Sequence, residues 1–323
     1  MFFRQRCSRR HNFSESDFQF TTSVHATTPR PLSPFLDATQ VLIQSISMSQ
    51  RPSGTPRLRV LCLHSFRTSA ASFKKQLFEL SNIGEALADL IELDLIDAPH
   101  ECTPEEEERI EPGVKVIFGG PFYEWINAMP YTDDPALRIY HHIDASLDAI
   151  AMHMRLFGPY DGIMGFSQGG TMCHAIAMLA HAGLLPFAPP RFMIILSGRL
   201  SRHYAHAPLV AACEANPLPV PSVVMWNGDD DHVYPEETER LSKTLKDCVA
   251  IKMDHVRGHK VPRVTNEANA LPRLRAFLEA IPPAPRDLCT SIKLAAVLCM
   301  RPPAEKEWSP YVEEIQRKGV IEF

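Results

Sequence analysis

Residues 158–177 read GPYDGIMGFSQGGTMCHAIA, and this stretch constrains the fold more than any other. An apolar run enters Gly-Phe-Ser-Gln-Gly and leaves it as a pattern with helical spacing, so a buried strand must turn into a helix within a residue or two. Glycines at 165 and 169 flank Ser167 at a distance of two residues on either side. A strand that feeds directly into a helix is the unit of a mainly parallel sheet with helices on both faces, since parallel strands need long crossovers and bury both their sides.

The rest of the chain repeats that unit. The short apolar runs LRVLCLH (58–64), LIELDLIDAP (90–99), YDGIMGF (160–166), RFMIILS (191–197), PSVVMWNG (221–228) and CVAIKM (248–253) read as strands. Helical spacing is expected over 69–90, 136–157, 168–183, 235–247 and 264–280, with Pro272 kinking or splitting the last of these. The class is therefore α/β, with about six strands in one domain at 58–282. Two insertions interrupt the alternation: residues 99–135, with the run EEEE and then GGPFYEW, and residues 201–219, rich in His, Ala and Pro. The run of glutamates reads as a solvated face. Residues 283–323 form a Pro-rich tail with one short helical patch near its end.

Residues 1–57 carry Arg4, Arg6, Arg9 and Arg10 among many Ser and Thr and few acids. That composition fits either a disordered extension or a transit peptide for mitochondrion or plastid, and Met48 is an alternative start. The 8 cysteines are scattered without a C-x-x-C pair, which reads as reduced thiols in the cytoplasm or nucleus. A net charge of -5 offers no basic footprint for nucleic acid. No apolar run is long enough to span a bilayer as a helix.

The strand–turn–helix setting turns G-x-S-x-G into a nucleophile elbow, the signature of the α/β-hydrolase fold. The flanking glycines remove bulk that the tight turn cannot hold. The turn lifts the Ser167 hydroxyl to the N-terminus of a helix, where free N–H groups and the helix dipole favour developing negative charge. In this fold the order along the chain is serine, acid, histidine. Of His255 and His259 in the loop DHVRGHKVP, His259 is the expected base, because Gly258 lets the loop turn back over the serine. His141, His142, His203 and His206 have no such placement. The acid is expected among Asp229, Asp230 and Asp231, and the chemistry alone leaves the three open. The oxyanion donors are expected to be the amides of Gln168 and Phe66. No G-x-G-x-x-G or Walker spacing occurs, and none of His141, His142, His203 and His206 pairs at ligand spacing with Cys or a carboxylate, so neither cofactor nor metal is expected.

Taken as a set, LRVLCLHSFRTSAASFKKQL, LIDAPHECT, FYEWIN, GPYDGIMGFSQGG, NGDDDHVYP and GHKVP resemble the eukaryotic family of serine hydrolases, small α/β-hydrolases of fungi and plants, some of them esterases or thioesterases. The resemblance runs from about residue 58 to about 280. It implies a Ser-Asp-His triad, and its G-x-x-D-x-x-V-P pattern falls on Gly228, Asp231 and Pro235, making Asp231 the implied acid. The family histidine falls on His259. One departure stands out: the usual His-Gly-Phe after the first strand is His64-Ser65-Phe66 here. If the family backbone needs positive φ at that position, Ser65 would displace the Phe66 amide, and a lost oxyanion donor costs on the order of 2.7–4 kcal/mol.

The expected substrate is a small-molecule acyl ester or thioester, with Phe122, Tyr123 and Trp125 of the first insertion as candidate walls of its pocket. Aromatics there either line an acyl pocket or anchor the insertion to the body. An acyltransferase, or a non-catalytic ligand-binding or interaction protein on the same fold, are the alternatives.

Overall fold

The computed structural model describes residues 56–254, 258–264, 269–282 and 284. The N-terminal extension, nearly all of the C-terminal tail and His255 lie outside the described residues.

Six strands form one wholly parallel sheet: β1 (Leu58–Leu63), β2 (Ile91–Ile96), β3 (Gly162–Phe166), β4 (Met193–Leu196), β5 (Ser222–Asn227) and β6 (Cys248–Met253), in the order β6-β5-β4-β3-β1-β2. The chain runs outward from β1 to β2, then crosses back to lay β3 against the other side of β1. Its direction along the sheet reverses at the β1/β3 boundary, where ligands gather in open parallel sheets, beyond the strands' C-terminal ends. Leu63 of β1 pairs with Gly165 of β3, so the loop after β1 and the turn at Ser167 leave the sheet side by side.

Alternation along the strands sorts the core into two layers. On β4, Met193 and Ile195 join one cluster and Ile194 and Leu196 the other; all four are fully buried. The first layer packs against α1 (Ile143–Phe157) and α2 (Gln168–His181), through Ile143, Leu147 and Ile150 and through Met172, Ile176 and Leu179. The second packs against the helix Ala70–Lys75 and α3 (Ala270–Ala280), through Phe73, Leu274 and Leu278. Each fully buried Leu, Ile or Phe contributes about 1.5–3 kcal/mol. Burial on both faces explains why the strands read as continuous apolar runs.

The expected elements shift at several places: the helix expected over 69–90 breaks into Ala70–Lys75, the π-turn Gln76–Leu80 and Ile83–Ala86, and that over 235–247 ends at Ser242. Residues 138–141 belong to no helix; Arg138–His141 pairs antiparallel with Asn127–Pro130, and α1 starts only at Ile143. Pro272 kinks nothing, because α3 starts at Ala270 and the proline falls in its first turn, where its missing N–H has no partner to lose. In the first insertion, the glutamates form the helix Pro104–Glu108 behind a Thr103–Glu106 capping box, and the short strands His100–Glu101 and Tyr123–Glu124 pair antiparallel. Cys62, Cys102, Cys173, Cys213 and Cys248 are free thiols. No described helix is long and apolar enough to cross a membrane.

Candidate active site

Ser167 sits between the last residue of β3 and the first of α2, at φ 54° and ψ -113°. Such a backbone costs a non-glycine residue about 1–3 kcal/mol and persists only where the surroundings enforce it. The flanking glycines are part of that enforcement. A Cβ on Gly165 would strike the carbonyl of Gly169, and one on Gly169 would strike the carbonyls of Leu63 and His64. The first turn of α2 is thus pressed against the end of β1 with no room for a methyl group.

His259 reaches the serine from the loop after β6. Its Nε2 lies 2.8 Å from Ser167 Oγ, and its Nδ1 lies 2.8 Å and 3.0 Å from the two carboxylate oxygens of Asp230. The loop is held from β5: Asn227 Nδ2 donates to the carbonyls of Gly258 and Lys260, at 3.0 and 2.9 Å, and Asp229 Oδ1 accepts the Gly258 amide at 3.1 Å. Gly258 takes φ +72°, the freedom expected of it.

The acid position differs from the expectation. Asp231 points away, with its side chain 72% exposed, and bonds the neighbouring His232. Asp230 is the residue beneath His259, with a side chain that is 0% exposed. The cause is a local turn: Asp230 Oδ1 accepts the amides of His232 and Val233, at 3.0 and 2.9 Å, which folds this aspartate inward and its neighbour outward. Burial pushes the Asp230 carboxyl up. The hydrogen bond and charge of His259, with the amides of Val233 and His232, outweigh it and hold the carboxyl below the usual range. Asp230, Asp231 and His232 also bring one potential metal-ligand atom each within 4.8 Å. Asp230 is already committed to three donors, so the trio offers no free ligand set.

The loop after β1 is fixed as firmly. The buried His64 accepts the Ala98 amide at Nε2 (3.0 Å), which leaves Nδ1–H to donate to Ser65 O (2.7 Å). Burial pushes this imidazole down to about 4, so it stays neutral near pH 7. The Trp125 indole donates to His64 O at 3.0 Å, and the Gln168 side chain accepts the Trp125 amide at 2.8 Å and donates to Ile126 O at 2.9 Å. The amides of Phe66 and Gln168 donate to no acceptor among the described residues. Ser65 does not take positive φ. Arg67 does, at 49°, and its buried guanidinium bonds Glu124 at 3.0 Å and the Glu106 carbonyl at 2.9 Å. Serine at 65 therefore carries none of the strain that replacing a left-handed glycine would bring.

The aromatic residues of the first insertion divide. Phe122 is 3% exposed and packs with Cys102 and Ile110 under the insertion, and Trp125 is fully buried beside His64. Neither can wall an open pocket; both anchor the insertion. Tyr123 is half-buried against the main core. The exposed apolar faces on the site loops are Phe66, 44% exposed, and Tyr234, 61% exposed. Sequence reasoning left Asp230 open among three aspartates and missed Asn227, His64 and the side-chain role of Gln168.

Comparison with known proteins places this geometry in a family. The family model described as Serine hydrolase (FSH1) matches residues 54–271. Esterase OVCA2 of Homo sapiens is 29% identical over 249 residues, spanning 72% of this chain and 96% of that protein. Esterase C25G4.2 of Caenorhabditis elegans is 25% identical over 213 residues, spanning 66% of this chain and 90% of that one. Among solved structures, acyl-protein thioesterase 2 of Zea mays is 20% identical, with a TM-score of 0.46 over 71% of this chain and 97% of that one. The strand order, the elbow at the end of β3 and the match over most of the chain agree: this protein is a member of the FSH1 serine hydrolase family with the α/β-hydrolase fold.

Proposed function

We propose that the protein is an esterase that cleaves carboxylic esters or thioesters through Ser167, His259 and Asp230. The observation that carries this reading is the unbroken chain from Ser167 Oγ to His259 Nε2 (2.8 Å) and from His259 Nδ1 to Asp230 (2.8 Å). In the proposed reaction His259 takes the serine proton as Oγ attacks the acyl carbonyl. The amides of Gln168 and Phe66 receive the oxyanion, and the imidazolium returns its proton to the departing alkoxide or thiolate. Water activated by the same histidine then cleaves the acyl-enzyme. Asp230 keeps the proton on Nδ1 and stabilises the imidazolium. Exposed Phe66 and Tyr234 favour an apolar acyl or alkyl group beside the serine. The family match and the esterases among the relatives support the same reading.

The test is covalent labelling with a fluorophosphonate, followed by turnover of p-nitrophenyl and CoA esters of graded chain length. Wild type should label; Ser167→Ala should not, and His259→Ala should label at least a hundredfold more slowly. A folded wild type that does not label would overturn the proposal and favour a binding role on the same fold.

A further inference from the structure

Two rings lie nearly parallel to the His259 imidazole. Phe166, the last residue of β3, has its centroid 4.8 Å away at 25°, and His232 has its centroid 5.1 Å away at 14°. Phe166 is buried, whereas the His232 side chain is 60% exposed. One of the two rings beside the base is thus fixed by the core, and the other, open to solvent, must be held in place some other way.

His232 is held at three points. Its Nδ1 bonds Asp231 Oδ1 at 2.9 Å, its amide donates to Asp230 Oδ1 at 3.0 Å, and its carbonyl accepts from Arg199. Arg199 is itself fixed, by Glu237 at 3.1 Å and through its own amide on Thr171 Oγ1 at 3.2 Å. An exposed histidine tied to both the acid and the base of a catalytic chain is more than a solvated side chain. The charged and titratable groups around it are Asp230, Asp231, Arg199, Glu237 and His259.

Building on the esterase reading above, we propose that His232, anchored by Asp231, is a positioning residue for the base: it holds the exposed face of the His259 ring so that Nε2 stays aimed at Ser167. The serine–histidine bond needs the ring in one orientation through both proton transfers. A stacked aromatic partner supplies that constraint and leaves both ring nitrogens free for Ser167 and Asp230. The proposal also gives Asp231 work outside the triad: its carboxylate fixes the plane of the clamping ring.

The test compares His232→Ala, His232→Phe and Asp231→Asn in the full chain. His232→Ala should lower kcat about three- to tenfold, the worth of one stacked ring pair, with KM unchanged within about twofold. His232→Phe keeps a flat ring and should recover kcat to within about twofold of wild type. Asp231→Asn should fall between the two. A second readout needs no turnover: in histidine ring-proton spectra the His259 signals should move downfield in His232→Ala, as the shielding ring leaves, and stay close to wild type in His232→Phe. Wild-type kcat in His232→Ala, a phenylalanine variant no better than alanine, or His259 ring shifts that ignore residue 232 would each overturn the clamp. Absence of labelling at Ser167 in wild type would overturn the esterase reading alone, because the ring shifts still report the clamp.

Discussion

Asp230 and Asp231 are neighbours in the chain, and each bonds a histidine through Nδ1, at 2.8 and 2.9 Å. Their settings differ in almost every other respect. Asp230 is fully buried, accepts two backbone amides and holds a ring that bonds the serine; Asp231 is 72% exposed and holds a ring that bonds no other side chain among the described residues. In low dielectric, an aspartate–imidazolium pair is strong and geometrically exacting, while the same pair in water is worth little. On the reading proposed above, the same two residue types supply catalytic charge in one place and mechanical support in the next.

The largest expected effect separates the two directly. Asp230→Asn should lower kcat for ester hydrolysis about 10³- to 10⁴-fold, because the asparagine favours the wrong tautomer of His259. A loss under tenfold would merge the two pairs into one class.

The acid stability profile should come next in size. Burial holds His64 and His174 down to about 4 and His206 down to about 3, so their contributions are complete above about 6.5 and are lost as pH falls from there towards those values, where the unfolded chain takes up protons that the fold refuses. The loss is on the order of 3 kcal/mol for each such imidazole. The depressed Asp230 carboxyl contributes above about 3.8 and loses its contribution only below that, as pH falls through its folded value. Urea unfolding at stepped pH should therefore show two windows, the lower one reduced more by Asp230→Asn than by Asp231→Asn, whose carboxyl His232 also holds down but in the open to solvent.

Truncation at neutral pH sharpens the contrast further. Asp230→Ala strands the amides of His232 and Val233 and should cost about 1–3 kcal/mol of unfolding free energy, against about 0.5 kcal/mol or less for Asp231→Ala. The smallest expected effect is Ser65→Gly, which should change kcat by less than about twofold, since Ser65 sits outside the positive-φ region. A rise of tenfold or more would restore the strained-loop expectation.

What was legible in the sequence was local. The elbow at Ser167 is encoded by two glycines spaced around it, Gly165 giving way to the Gly169 carbonyl four residues on and Gly169 to the end of β1, and the strands by apolar runs that a doubly covered sheet requires. The acid was less legible, because three adjacent carboxylates are chemically equivalent until the chain turns. The turn is decided by which aspartate captures the His232 and Val233 amides. The family pattern pointed one residue too far for this chain. Phe122 and Trp125, open in the sequence between pocket wall and anchor, prove to be anchors. An insertion made of short strands and helices has little core of its own, and it spends its large aromatics on anchoring. Arg67–Glu124 and His64–Ala98 join segments far apart in the chain, and no spacing rule points to them.

The most direct measurement of the central claim is the far-downfield proton resonance of His259 Nδ1–H, assigned by ¹⁵N labelling and followed in wild type, Asp230→Asn and Asp231→Asn. The account predicts that the resonance is present in wild type, survives in Asp231→Asn and disappears in Asp230→Asn. A resonance that survives in Asp230→Asn and is lost in Asp231→Asn would contradict it and return the acid to Asp231.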